Sequence, residues 1–260
     1  MNTRLLTPIV VAALLFSACS SDQPTANDSA ATETAATETT ATETTATETP
    51  GVTSIPAAAT PATGISSTFT AEVWADNWFS LTVNGQLVGE DSVPITTERS
   101  FNAESFTFTA TYPLTIAMVT KDYKETDSGL EYIGTDRQQM GDGGFVAQIT
   151  DTATGGVVAA TSSAWLGLVV QRAPLNLECV DSADPDSDCR SESIDEPADW
   201  TDAGFDDSGW TAASTYTQEE VGTKDGYDTV AWNAAAELIW ASDLQVDNTI
   251  LWRFTAAMSP

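Results

Sequence analysis

From residue 66 onward, apolar and polar positions alternate in short runs, the period-two pattern of half-buried strands. FTAEVWA at 69–75 and FSLTV at 79–83 alternate cleanly, and Asn84-Gly85 stands where a two-residue hairpin turn belongs, ahead of a short strand at 86–88. Further strands are expected at 105–110, 113–119, 144–150, 157–161, 165–171, 236–240 and 249–256, with TGG at 154–156 as a second hairpin turn. No stretch carries apolar residues at 3.6-residue spacing over the length of a helix. The expected fold class is therefore all-β, an antiparallel β-sandwich.

Before residue 66 the texture is different. Residues 22–65 are mostly Thr, Ala, Glu, Ser and Pro, with ATETA, ATETT, ATETT and ATETP repeated over 31–50. So few large apolar side chains cannot offset the entropy of ordering, so a disordered, charge-extended stalk is expected. The first residues are Met1-Asn2-Thr3-Arg4, followed by an apolar run over 5–16 and the small residues Ser17-Ala18 before Cys19. That order is the pattern of an export signal, and the run is too short for a spanning helix. LFSAC at 15–19 resembles the lipobox of bacterial lipoproteins, with Phe16 where an aliphatic residue is usual. The resemblance implies that Cys19 becomes a lipidated N-terminus; an ordinary cleaved signal with an incidental Cys is the alternative. The expected organisation is a signal peptide at 1–18, a tether at 19–65 and one domain at 66–260, lipid-anchored at the cell envelope and facing outside the cytoplasm.

Composition removes whole classes of chemistry. Nine Lys and Arg stand against 38 Asp and Glu, a formal net charge of -29, so a nucleic-acid partner is excluded on charge. With no His at all, no Ser-His-Asp or Cys-His centre and no His metal ligand can exist. Carboxylate pairs of the glycosidase kind are permitted, but this many acidic residues place such pairs by chance, and no phosphate loop or nucleophile elbow is present. A non-enzymatic role is expected. Apart from Cys19, only Cys179 and Cys189 remain, and in an oxidising compartment they most simply pair as a disulfide.

Four motifs occur in one order along the domain. DNWFSLTVNG at 76–85 resembles the "D-N-x-F-x-L-x-V-N-G" hairpin of galactose-binding-like jelly rolls, and TSSAW at 161–165 is similar to their "T-D-S-S-W" entry. Trp200 with FDDSGW at 205–210 resembles the "W…F-D-D-S-x-W" segment, and Ile239-Trp240 with LWRF at 251–254 the closing strands. The resemblance implies a jelly-roll sandwich of the kind found in carbohydrate-binding modules and in accessory domains of glycosidases. The motif residues also have structural explanations. Asp206-Asp207-Ser208 suits a turn, Trp210 the core, and Trp165, Trp240 and Trp252 lie in apolar strands where core packing is the plainer assignment.

Two polar segments are candidate sites. The long excursion at 121–143 holds Tyr123 and Tyr132, which can stack on sugar faces. It also holds Glu131, Asp136, Arg137 and Gln138, which can hydrogen-bond paired hydroxyls. A merely solvated loop is the alternative. Residues 184–195 place Asp184, Asp186, Asp188, Glu192 and Asp195 in the ligand order of an EF-hand loop, a candidate for Ca²⁺. Cys189 sits where that loop needs a turn Gly, and Asp195 replaces a bidentate Glu. The expected function is recognition of a glycan or another extracellular polymer, calcium-assisted if the acidic loop binds the ion. A structural or adhesive surface protein with a protein partner is the other reading.

Overall fold

The computed structural model describes residues 64–96, 102–122 and 125–258, which belong to the unit Ala59–Pro260. The signal, Cys19 and nearly all of the tether lie outside the described residues. In chain order the strands are β1 (Ser66–Asp76), β2 (Trp78–Val83), β3 (Gln86–Glu90), β4 (Ala103–Thr111), β5 (Leu114–Lys121), β6 (Leu130–Glu131), β7 (Gln139–Met140) and β8 (Gly144–Asp151). They continue with β9 (Val157–Ala160), β10 (Leu166–Arg172), β11 (Glu192–Ser193), β12 (Thr211–Ala212), β13 (Ser214–Tyr216), β14 (Leu238–Trp240) and β15 (Asp247–Ala256). Two single helical turns interrupt them, α1 (Pro185–Asp188) and α2 (Gln218–Val221).

The fold is the expected antiparallel β-sandwich. One sheet runs β13-β14-β8-β1-β4 with β9 beside β8, and the other runs β11-β10-β15-β5-β2-β3 with β12 beside β10. From β1 to β10 the long strands alternate between the two sheets, while β2 turns tightly into β3 within one of them. Asn84 and Gly85 turn β2 into β3 with φ of 51° and 73°, the left-handed pair that a two-residue turn needs. Asn84 does more than turn: its Nδ2 donates to the Thr111 carbonyl, and its Oδ1 accepts from the Thr115 amide. The turn is thereby tied to the β4–β5 corner.

Between the sheets, Phe69, Ala71 and Val73 of β1 meet Phe79 and Leu81 of β2, with Trp165, Trp240 and Trp252 in the same cluster. All three Trp are buried, and each indole N–H finds an acceptor: Trp165 the Ala160 carbonyl, Trp240 the Asp247 carbonyl, Trp252 the Thr120 hydroxyl. Trp165 stacks on Phe254 with ring planes 7° apart. The assignment of these rings to the core is correct.

The outer faces are also covered, which simple alternation does not indicate. Trp74 and Val146 point away from the central core, yet both are 0 % exposed because Val221, Leu238 and Tyr227 pack over them. On the other sheet, Ala117, Val170 and Leu251 are roofed by Trp200, Phe205 and Trp210. The sandwich therefore carries a partial third and fourth layer made from its long connections. Arg253 fastens the second roof: its Nε donates to Asp207 at 2.8 Å, it donates to the Trp200 carbonyl, and its guanidinium lies 5.2 Å from the Phe205 ring centroid. The expected Asp206 turn is present, with the Ser208 amide donating to Asp206.

Candidate functional site

The expected binding loop is a structured flap whose polar side chains are largely used internally. β6 and β7 pair within it as a two-stranded ribbon. Gln138 bridges outward: its Nε2 donates to the carbonyls of Val180 at 2.7 Å and Ser182 at 2.8 Å, and its Oε1 accepts from the Gly134 amide. It staples the flap to the disulfide loop. Glu131 is buried and accepts from Gln139. The Arg137 guanidinium lies 4.3 Å from the Tyr132 ring centroid, so ring and cation cover one another. Asp136 is exposed, and Tyr123 lies outside the described residues. Of the residues expected to bind, the structure brings Tyr132 and Arg137 into direct contact.

Beneath this flap sits a buried acidic group that spacing did not reveal. Asp76 at the end of β1 is 0 % exposed, and its Oδ2 lies 3.5 Å from Lys224 Nζ; Asp142 Oδ2 is 3.6 Å from the same ammonium. Burial pushes the Asp76 carboxyl well above the usual carboxylate range, the charge of Asp142 pushes it further, and Lys224 pulls it back. Desolvation lowers the Lys224 pKa, but Asp76, Asp142 and Glu131 together outweigh it and the net shift is upward. Asp122 packs against Gly141, where an added Cβ would come within 1.8 Å of its Oδ2, so a side chain there would force the Asp122 carboxylate to move. The group ties the 222–226 segment to the end of β1.

Cys179 and Cys189 are bonded to each other, with Cα atoms 5.2 Å apart. The acidic residues beside them do not form a cage. Asp184 accepts from the Ser187 hydroxyl three residues on, and Asp188 from the Ser182 hydroxyl six residues back, so both are engaged locally around α1. Glu192 belongs to β11, two residues of strand paired with Gln171 and Arg172, and is exposed like Asp186 and Asp195. Among the described residues, no three Asp, Glu, His or Cys side chains gather so as to hold a metal ion. The EF-hand spacing is present in the chain, but the side chains it selects do not gather round one point in this structure.

A different site lies along β10. Its outer edge is paired only at its two ends, by β12 at Leu166–Gly167 and by β11 at Gln171–Arg172. Between those caps opens a groove of about 350 Å³, reaching down to Trp252 of the core. Trp210 and Ile194 flank it, and Gln171, Arg172, Glu192 and Ser242 bring polar groups to it. Trp210 is half-buried and braced by its neighbours, with its ring centroid 6.0 Å from Trp200 and 5.7 Å from Phe205. At the polar end, Arg172 Nε is 2.7 Å from Asp247 Oδ1. Burial raises the Asp247 carboxyl, the Arg172 charge lowers it, and the Asp243 amide donates to it. The Arg172 plane is therefore held in place while its side chain stays partly exposed.

This groove can take a ligand with one apolar face and several hydroxyls, because a braced aromatic ring and planar donors and acceptors line it together. Sequence reading missed it, since its parts come from 167–172, 192–194, 209–214 and 241–242 and meet only where two sheet edges come side by side. The one available signal was Gln171-Arg172, a polar pair closing an apolar strand. No protein-family description, curated protein or solved structure matches the chain.

Proposed function

We propose that the chain is an exported lipoprotein, anchored through Cys19, whose sandwich is a non-enzymatic binding module for a carbohydrate or another extracellular polymer. The observation that carries this reading is the β10 groove, which the braced Trp210 ring lines together with Gln171, Arg172 and Glu192. A pyranose has an apolar face for the ring and equatorial hydroxyls for the planar groups, and it brings no charge to be repelled by an acidic surface. The order of the four motifs, similar to that of galactose-binding-like modules, supports the same reading. Calcium forms no step in it, because the residues of 184–195 do not converge on an ion.

Pull-down on a panel of polysaccharides, followed by affinity measurements on variants, tests the proposal. Trp210→Ala is expected to weaken binding at least tenfold, and Glu192→Gln less, because buried aromatics dominate such interfaces. Tyr132→Ala is expected to leave affinity unchanged. Loss with Tyr132→Ala alone would move the site to the flap. No glycan retained, with a protein partner recovered in its place, would favour an adhesive role. Cys19→Ser is expected to abolish partition into the detergent phase, and full retention there would refute the anchor.

A further inference from the structure

We propose that two copies of this chain pair edge to edge through β4, antiparallel about a two-fold axis at Thr107, making one continuous sheet from two. β4 closes its sheet, and its other side is paired with β1 over nine residues, from Ser66 opposite Thr111 to Trp74 opposite Ala103, without a bulge. β3 does not continue that sheet: it belongs to the opposite one, with Gly89 lying against the Phe106 ring. A strand edge presents a row of backbone donors and acceptors that template another strand, and proteins blunt such edges with Lys, Pro, bulges or short length.

The edges among the described residues differ in that protection. β10 is capped by β11 and β12, β13 has three residues, and β3 has five with a register shift against β2. β4 reads AESFTFTAT, nine residues without Lys, Arg or Pro. Its outward residues Ser105, Thr107, Thr109 and Thr111 are exposed. Beside the same edge, Leu87 is 65 % exposed in a groove it shares with Val88, Phe108 and Ala110.

Self-complementarity selects a second copy as the occupant. Opposed residues in an antiparallel pair point to the same face, so a two-fold axis must pass through a residue and not between two. Only an axis at Thr107 uses all nine residues. It sets Thr107 against Thr107, Ser105 against Thr109, Phe106 against Phe108, and the single charge, Glu104, against Ala110. Hydroxyl and aromatic cross-strand pairs are favourable, and no like charges meet. Glu104 is engaged within its own chain by Ser92 and Asn102.

The tether permits the arrangement. It enters the domain beside the Thr111 end of β4, where the Tyr112 amide donates to the Ile65 carbonyl. In the pair the two tethers leave from opposite ends of a ladder about 30 Å long. Residues 19–63 can span on the order of 150 Å when extended, so two copies held on one membrane can meet. Pairing on one membrane rests on the anchor proposed above; pairing itself does not.

Cysteine cross-linking of the whole chain tests the axis. Opposed Cα atoms stand about 4.5–5.5 Å apart, within disulfide range. Thr107→Cys is therefore expected to give a dimer whose linked peptide joins residue 107 to residue 107. Thr109→Cys is expected to link to a co-expressed Ser105→Cys chain at least tenfold faster than to itself. Thr107→Lys sets two ammonium groups face to face on an exposed position, and is expected to halve the protein mass in the detergent-solubilised particle while leaving far-UV circular dichroism and cooperative melting of the domain intact. Raising salt is expected to strengthen the wild-type dimer by screening the acidic domains. Equal self-linking at 107 and 109, or a wild-type protein that sediments as a monomer at high salt, overturns the proposal.

Discussion

Removing the carboxylate of Asp207 isolates what one residue of the 205–210 motif contributes. Asp207 is the ion-pair partner of Arg253, 2.8 Å away, with side-chain exposures of 31 % and 3 %. Asp207→Ala leaves the buried guanidinium with the Trp200 carbonyl and the Phe205 ring but no counter-charge. Breaking a fully buried pair costs about 3–5 kcal/mol, and a charge-assisted hydrogen bond about 1.5–3. Because Asp207 is nearly a third exposed, water recovers part of the loss, and about 2 kcal/mol is the expected cost. For a domain of this size that is a fall of roughly 4–8 °C in melting temperature. Adding Arg253→Met to Asp207→Ala is expected to restore part of the stability, since an apolar chain of similar length needs no partner. Trp210 should report the same event: its ring packs on Phe205, over which the Arg253 guanidinium lies, so near-UV circular dichroism is expected to change with the first substitution. A melting temperature within about 1 °C of wild type, with no coupling in the double-mutant cycle, would falsify the assignment of Asp207 as the clasp of this roof.

Two further outcomes are expected. Burial pushes the Asp91 carboxyl up to about 6, the Val93 amide partly offsets this, and Glu104 adds to it. The folded state therefore keeps a proton that the unfolded chain has lost. This stability is full below about pH 4, is lost as pH rises through 6, and amounts to up to about 3 kcal/mol. Asp91→Asn keeps the acceptor for Val93 and removes the charge, so it should raise the melting temperature at pH 8 and not at pH 3.5; an equal gain at both would exclude ionisation as the cause. Reducing the Cys179–Cys189 bond, which closes a short loop, is expected to cost about 2.5–3 kcal/mol, and an unchanged melting curve under reductant would contradict it.

The long strands were legible because period-two alternation reports a buried face directly. The positions of β1, β2, β5, β8, β10 and β15 follow from it within a few residues. The turn at Asn84-Gly85 was legible for a different reason, since few residues accept two successive left-handed φ angles. What alternation cannot show is whether the outward face is also covered. Trp74 stands on the polar side of β1's pattern, and its burial depends on Val221 and Tyr227, about 150 residues further along. Asp207 is a similar case: a short acidic run looks like turn chemistry until the strand carrying Arg253 arrives beneath it.

The flap misled for the converse reason. Polar residues in a long connection are equally suited to binding a ligand and to satisfying backbone groups, and Gln138 uses both ends of its amide on the second task, one within the flap and one on the disulfide loop. The β10 groove is built from gaps: a strand edge paired at its ends and open in the middle. A gap has no residue pattern of its own. It becomes visible only once register is known, and register in turn depends on where β11 and β12, two residues each, fall along β10.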